Sequence, residues 1–318
     1  MIFDLNSYNQ IAPARSVNRG FCDPDKDCDL GETIGKILDK NDPMIISFGE
    51  LNMPCNGNSL PYARSTLEIF ADSVIPLLKK HNIHDLVVEY ILGGPRIEAE
   101  LDYFHQPDGK IDEERTPYLY KLSKICTFQG IDTLLTQSKS AGIRVHPGGP
   151  TYEELHQPDL VAEDLSGGPH LKQLKLIRKK LEDKIRELVE AGKKTASYGG
   201  ALHNDIVRGA VPGNSFGWKF RQEYGDRYVE VDLVLRNNLQ DISARPSKSL
   251  TSYPDYKNFV RYSDPYNNIC RQKPGLPSYL IAIQDQIDYA AEAYGEKLLG
   301  NAFPFVSGPV RTTFIRPR

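Results

Sequence analysis

The apolar positions fall into short continuous runs alternating with longer amphipathic stretches. Pro43-Met44-Ile45-Ile46-Ser47-Phe48, ending at Gly49, reads as a buried strand. Tyr62 to Lys80 has helical spacing (Leu67, Phe70, Ala71, Val74, Leu77, Leu78), with a kink or break expected at Pro76. Asp85 to Leu92 predicts a second strand, stopped by Gly93-Gly94-Pro95. Leu119 to Ser140 reads as a helix, and Ala141 to His146 as a third strand stopped by Pro147-Gly148-Gly149. Leu171 to Ala191 carries the clearest helical stripe: Leu171, Leu174, Ile177, Leu181, Ile185 and Leu188 on one side, Lys, Arg and Glu on the other. Thr195 to Tyr198 runs into Gly199-Gly200, and Tyr228 to Leu235 predicts a further strand.

Strands and helices in this alternation predict an α/β layered fold with a mostly parallel central sheet flanked by helices. Residues 1–42 read as an irregular lead-in, with a short helix over Leu30 to Leu38. Residues 43–318 read as one α/β domain, with a C-terminal embellishment after about 236. Within that embellishment residues 236–275 are polar and irregular, and Ser278 to Leu299 is expected to be helical.

Composition narrows the classes. The 318 residues carry 42 acidic and 39 basic side chains, a net charge of −3 that argues against a broad nucleic-acid surface. No run approaches the roughly 20 apolar residues of a membrane span, and MIFDLNSYNQ has no secretory pattern, so a cytoplasmic protein is expected. The five cysteines are too scattered for a disulfide framework. Cys55 and Cys126 are weak nucleophile candidates, because free cysteine is more often a small core hydrophobe.

Chemistry is expected at the carboxyl ends of the strands, where open parallel sheets bind ligands. Glu50 and Asn52 follow the first strand, Glu89 lies near the end of the second, and His146 ends the third. The fourth leads through Tyr198-Gly199-Gly200 to His203, Asn204 and Asp205. If these strands are neighbours, their side chains share one cleft. Carboxylates with imidazoles there suit a divalent metal or acid–base work near neutral pH. Each residue also has a structural reading: a strand-end glutamate can cap a helix, His146 can be a structural histidine, and Asn204-Asp205 can cap the next helix. Arg96, after Gly93-Gly94-Pro95, could hold an anionic group, although no glycine-rich phosphate fingerprint accompanies it.

The segment Gly49-Glu50-Leu51-Asn52, the strand carrying Glu89, and Tyr198-Gly199-Gly200-Ala201-Leu202-His203-Asn204-Asp205 resemble the Tiki/ChaN/erythromycin-esterase superfamily over about residues 43–235. The resemblance implies a cleft built on Glu50 and His203, with His146 and Glu89 as neighbours. It implies either a metal-assisted hydrolase or a haem-binding protein, in a largely bacterial group. Where the first motif of that group ends in His, this chain has Asn52, a poor ligand for zinc.

Two expectations follow. One is a hydrolase of an ester, amide or peptide bond. Glu50, His146 and His203 would be its catalytic or metal-ligating residues, and Asn52, Glu89, Arg96, Tyr198, Asn204 and Asp205 would bind substrate. The other is a degenerate, non-catalytic protein that binds a peptide or haem. A homodimer is compatible with either.

Overall fold

The computed structural model describes residues 30–50, 65–124, 130–157, 168–204, 206, 215–235, 269–272 and 276–283. Asn52, Cys55, Cys126 and Asp205 lie outside these residues. Among the described residues seven strands form one sheet: β1 (Ile45–Glu50), β2 (Asp85–Val88), β3 (Arg144–Pro147), β4 (Thr195–Gly200), β5 (Tyr228–Leu235), β6 (Ile269–Gln272) and β7 (Ser278–Ile283). Their spatial order is β3-β2-β4-β1-β5-β7-β6. Every pairing is parallel except that of β6 with β7, so the expected mostly parallel α/β sheet is the observed one.

The helices are α1 (Leu30–Asn41), α2 (Thr66–Ser73), α3 (Ile75–Lys80), α4 (Pro95–Phe104), α5 (Pro117–Leu122), α6 (Ile131–Ala141), α7 (Tyr152–Leu155), α8 (Gly168–Glu190), α9 (Ala201–Asn204) and α10 (Gly217–Tyr224). The break expected at Pro76 separates α2 from α3: Val74 ends one helix, and Pro76 sits in the first turn of the next, where its missing N–H costs nothing. Ser65 and Glu68 close a reciprocal capping box at the start of α2.

The helices divide between the two faces because successive strand residues point opposite ways. Ile46 and Phe48 of β1, Leu86 and Val88 of β2 and Ala196 and Tyr198 of β4 pack with α1 to α6 in the larger core. Ile45 of β1, Val87 of β2 and Tyr228 of β5 pack on the other face with Leu181, Ile185 and Leu188 of α8 and with Phe216 and Phe220. Phe216, Phe220 and Tyr228 are therefore core, and Trp218 is exposed.

Three expectations are corrected. The helix predicted over Leu119 to Ser140 is two helices, α5 and α6, the second starting after Gly130 at φ 94°. A Cβ there would lie 2.8 Å from the Ser65 hydroxyl, on the α2 cap. Ser278 to Ile283, expected as the start of a helix, is strand β7; its apolar run fits either periodicity, and parallel pairing to β5 decides it. Helix α4, which the apolar pattern does not single out, begins at the proline that appeared only to stop β2.

Candidate functional site

Strands β2, β4 and β1 are consecutive in the sheet and end at the same level, so Glu89, Gly200 and Glu50 meet at one edge. The chain leaves β1 for α2 on one face and leaves β4 for α9 and α10 on the other. Such a divergence at the carboxyl ends of neighbouring strands is where open α/β sheets commonly bind ligands.

On the face of the larger core, Glu50 closes β1 with both carboxylate oxygens occupied. Tyr90 donates its hydroxyl to Oε1 and Tyr198 donates to Oε2, both in short hydrogen bonds. Tyr198 is fully buried and held by Phe70, whose ring centroid lies 4.5 Å away, while Phe48 packs at 4.9 Å on Phe70. Burial raises the Glu50 carboxyl to about pH 7. The two tyrosine hydroxyls act against that rise, and the negative charge of Glu89 adds to it. Burial likewise raises the Tyr198 phenol well above its usual range, so it stays a hydrogen-bond donor.

On the opposite face, Glu89 is nearly buried, and its Oε2 accepts the Gly200 amide at 2.7 Å. Its own amide donates to the Tyr198 carbonyl at 3.0 Å, which continues the β2–β4 ladder one residue past the strand. Glu89 Oε1 lies 3.5 Å from Nε2 of His203, itself 4% exposed. The site is thus two carboxylates at the end of the sheet, one served by two phenols and the other paired with an imidazole.

His203 belongs to a single turn, α9, too short to persist without tertiary support. Its carbonyl accepts the Phe216 amide at 2.8 Å. The next residue, Asn204, donates through Nδ2 to the Ser47 carbonyl at 3.3 Å and to Oδ1 of Asp232 at 3.2 Å. Tyr228 donates to the Asn204 carbonyl at 2.7 Å, and Glu230 accepts the Ile206 amide at 2.8 Å.

Among the described residues, Glu50, Glu89, Tyr198 and His203 are therefore brought together, and His146 and Arg96 are not. His146 is corrected: its Nε2 bonds Oδ1 of Asp85 at 2.7 Å, at the opposite end of β2 from Glu89. Its ring turns toward the amino end because Asp85, two positions back on the same face, also receives Lys193 at 3.0 Å. Arg96 stands exposed on α4, 3.6 Å from Glu100, and Asn204, at the end of α9, is buried with its side chain turned to β1 and β5. The set Glu50, His146 and His203 does not form a metal site, and among the described residues no three His, Cys, Asp or Glu side chains are grouped to hold one.

Sequence reasoning missed Tyr90, Asp232 and Glu230. Tyr90 follows Glu89 directly, so its phenol reaches the face of Glu50. The signal for the other two was present: Glu230 and Asp232 are acids at alternate positions of an otherwise apolar strand, which puts both on one buried face.

No family model matches the sequence, and no curated protein matches it. Among solved structures the chain is similar to RRSP, a MARTX toxin effector domain from Vibrio vulnificus. The TM-score is 0.40 at 15% identity, over 64% of this chain and 36% of that one. It is similar to the type III effector HopBA1 (TM-score 0.43, 14% identity, 80% of this chain and 93% of that one). It is also similar to a protein from Bacillus cereus (TM-score 0.37, 14% identity, 67% of this chain and 70% of that one). The chain spans about a third of the length of the Vibrio structure. The first two neighbours are a toxin effector domain and a type III effector, not Tiki, ChaN or erythromycin-esterase proteins. That finding corrects the superfamily assignment made from the motifs.

Proposed function

We propose that the chain is a hydrolase of an ester, amide or peptide bond, working at the carboxyl ends of β1, β2 and β4. The observation that carries the reading is the buried Glu89–His203 pair, set beside a carboxyl that changes charge near neutral pH. A carboxylate facing Nε2 favours the tautomer that keeps its proton there, so the lone pair lies on Nδ1. His203 then takes a proton from water as the water oxygen attacks the carbonyl carbon. Glu50, carrying its proton in part of the molecules at pH 7, supplies one to the leaving group as the bond to it breaks. Glu89 holds the imidazole and stabilises it once charged, and Tyr90 and Tyr198 fix the Glu50 carboxyl.

This reading carries with it a small-molecule or peptide substrate. No helix among the described residues is long and apolar enough to cross a membrane, and we place the reaction in the cytoplasm.

The test is a panel of aryl esters, lactones and peptidyl anilides offered to the wild type, Glu89→Gln and His203→Gln. Turnover of at least one class by the wild type, falling by on the order of 100-fold or more in both variants, is the expected result. Wild-type turnover that both variants retain overturns the reading, and so does a wild type inert toward every class.

A further inference from the structure

We propose that Asp232, acting through Asn204, is a positioning residue that fixes the orientation of His203. The proposal rests on the reading of His203 as the general base.

Helix α9 is one turn long, so its intrinsic hydrogen bonding cannot hold the imidazole in place. The turn is fastened from below by polar groups of β1 and β5. Asn204 reaches both strands at once, to the Ser47 carbonyl and the Asp232 carboxylate. Tyr228 and Glu230, on the same face of β5 as Asp232, bind the Asn204 carbonyl and the Ile206 amide. All four side chains are buried.

Burying carboxylates is expensive, and an anchor serving stability alone is usually matched or bettered by apolar packing. Apolar contact is non-directional, however, and would let a single turn rotate. A hydrogen bond from the residue adjacent to His203 fixes the rotation of the turn, and with it the direction of the imidazole toward Glu89. The Asn204 Oδ1 atom adds a second sign that geometry takes precedence here. Among the described residues it is buried without a hydrogen-bond partner, while Nδ2 donates to both the Ser47 carbonyl and Asp232.

The experiment follows the His203 imidazole by nuclear magnetic resonance in protein labelled at its seven histidines, with the signal assigned by its loss in His203→Gln. Asp232→Leu and Asn204→Ala each remove the bond, while Asp232→Asn keeps an acceptor at Oδ1. In the first two variants the His203 ring shifts and titration midpoint move. In Asp232→Asn they return toward the wild-type values. Turnover of the best ester from the panel falls by on the order of 10- to 100-fold in the first two, mainly in kcat, and recovers in the third. If Asp232→Leu does not fold, Asn204→Ala carries the test. A His203 signal unmoved in folded Asn204→Ala overturns the proposal. A moved signal in a protein with no turnover on any substrate supports positioning and overturns the hydrolase reading instead.

Discussion

Glu89 occupies the space above Gly199 that any other residue at 199 would fill. A Cβ there would lie 2.8 Å from the Glu89 Cβ and would run into the carboxylate itself. The close approach brings Oε2 onto the Gly200 amide and turns Oε1 toward His203. The glycine pair that ends β4 therefore serves the geometry of the site rather than a turn: β4 stays extended and paired with β1 through Gly200.

Gly199→Ala tests this relationship. The added methyl meets a side chain pinned at both its backbone and its carboxylate, so little room exists for relaxation. The expected cost is about 1–3 kcal/mol, the range for overpacking a close-packed interior. The His203 signal should move with it, since Glu89 is displaced. Denaturant midpoints and the histidine spectrum measure the two effects; a variant as stable as the parent with an unaltered His203 shows that Glu89 is not held there.

Asp85→Ala separates the cluster at the amino end of the sheet from the site. The Asp85 carboxyl is held below its usual range despite burial, because His146 and Lys193 both bond it. A group with a depressed folded value contributes stability at neutral pH that is lost as pH falls through that value. Truncation leaves His146 and Lys193 without their shared anion and should cost about 1–3 kcal/mol, the range for stranding a buried hydrogen-bond partner. His203 shifts and any turnover should be unchanged, because Asp85 and Glu89 lie at opposite ends of β2. A change at His203 equal to that from Gly199→Ala would join the two regions into one site.

Much of this was legible in the sequence, for identifiable physical reasons. Strand β1 and strand β5 have residues that suit only a buried strand, and the stripe from Leu171 to Leu188 suits only a helix against a sheet. The meeting of Glu50 and Glu89 at one edge was legible, because the ends of neighbouring strands in a parallel sheet lie at one level. The role of His146 was not, since the strand pattern places the residue at a carboxyl end but says nothing of which way its ring turns; Asp85 decides that through tertiary contact. Tyr90 was hidden by period-two alternation. It sits one residue after Glu89, so the two point to opposite faces, and only the shared edge of the sheet brings Tyr90 to Glu50 while Glu89 turns to His203. The motif likeness misled because a few strand-end residues recur wherever parallel sheets build a site.

Glu50 and His105 titrate with opposite effects on stability over the same pH range. Burial raises Glu50 from 4.5 to about 7, so the folded protein holds a proton that the unfolded chain releases, and stability falls as pH rises from about 4.5 to 7. The span corresponds to about 3 kcal/mol at ~1.4 kcal/mol for each tenfold change. His105 goes the other way. Burial first, then the nearby Arg144, lowers it to about 4, and its Nε2 accepts the Val145 amide at 3.0 Å, which a protonated ring cannot do. The unfolded chain therefore takes up a proton near 6.5 that the folded one refuses, and stability rises with pH from about 4 to 6.5. The two slopes offset each other in the wild type, and single substitutions should reveal them. Glu50→Gln should gain stability relative to the wild type at pH 8 more than at pH 5, leaving a curve that climbs with pH. His105→Gln should leave a curve that declines with pH across the same interval. Urea midpoints measured at intervals from pH 4.5 to 8 read both. Parallel curves for Glu50→Gln and the wild type would mean that Glu50 ionises as an ordinary carboxyl, and would remove it as the proton donor to the leaving group.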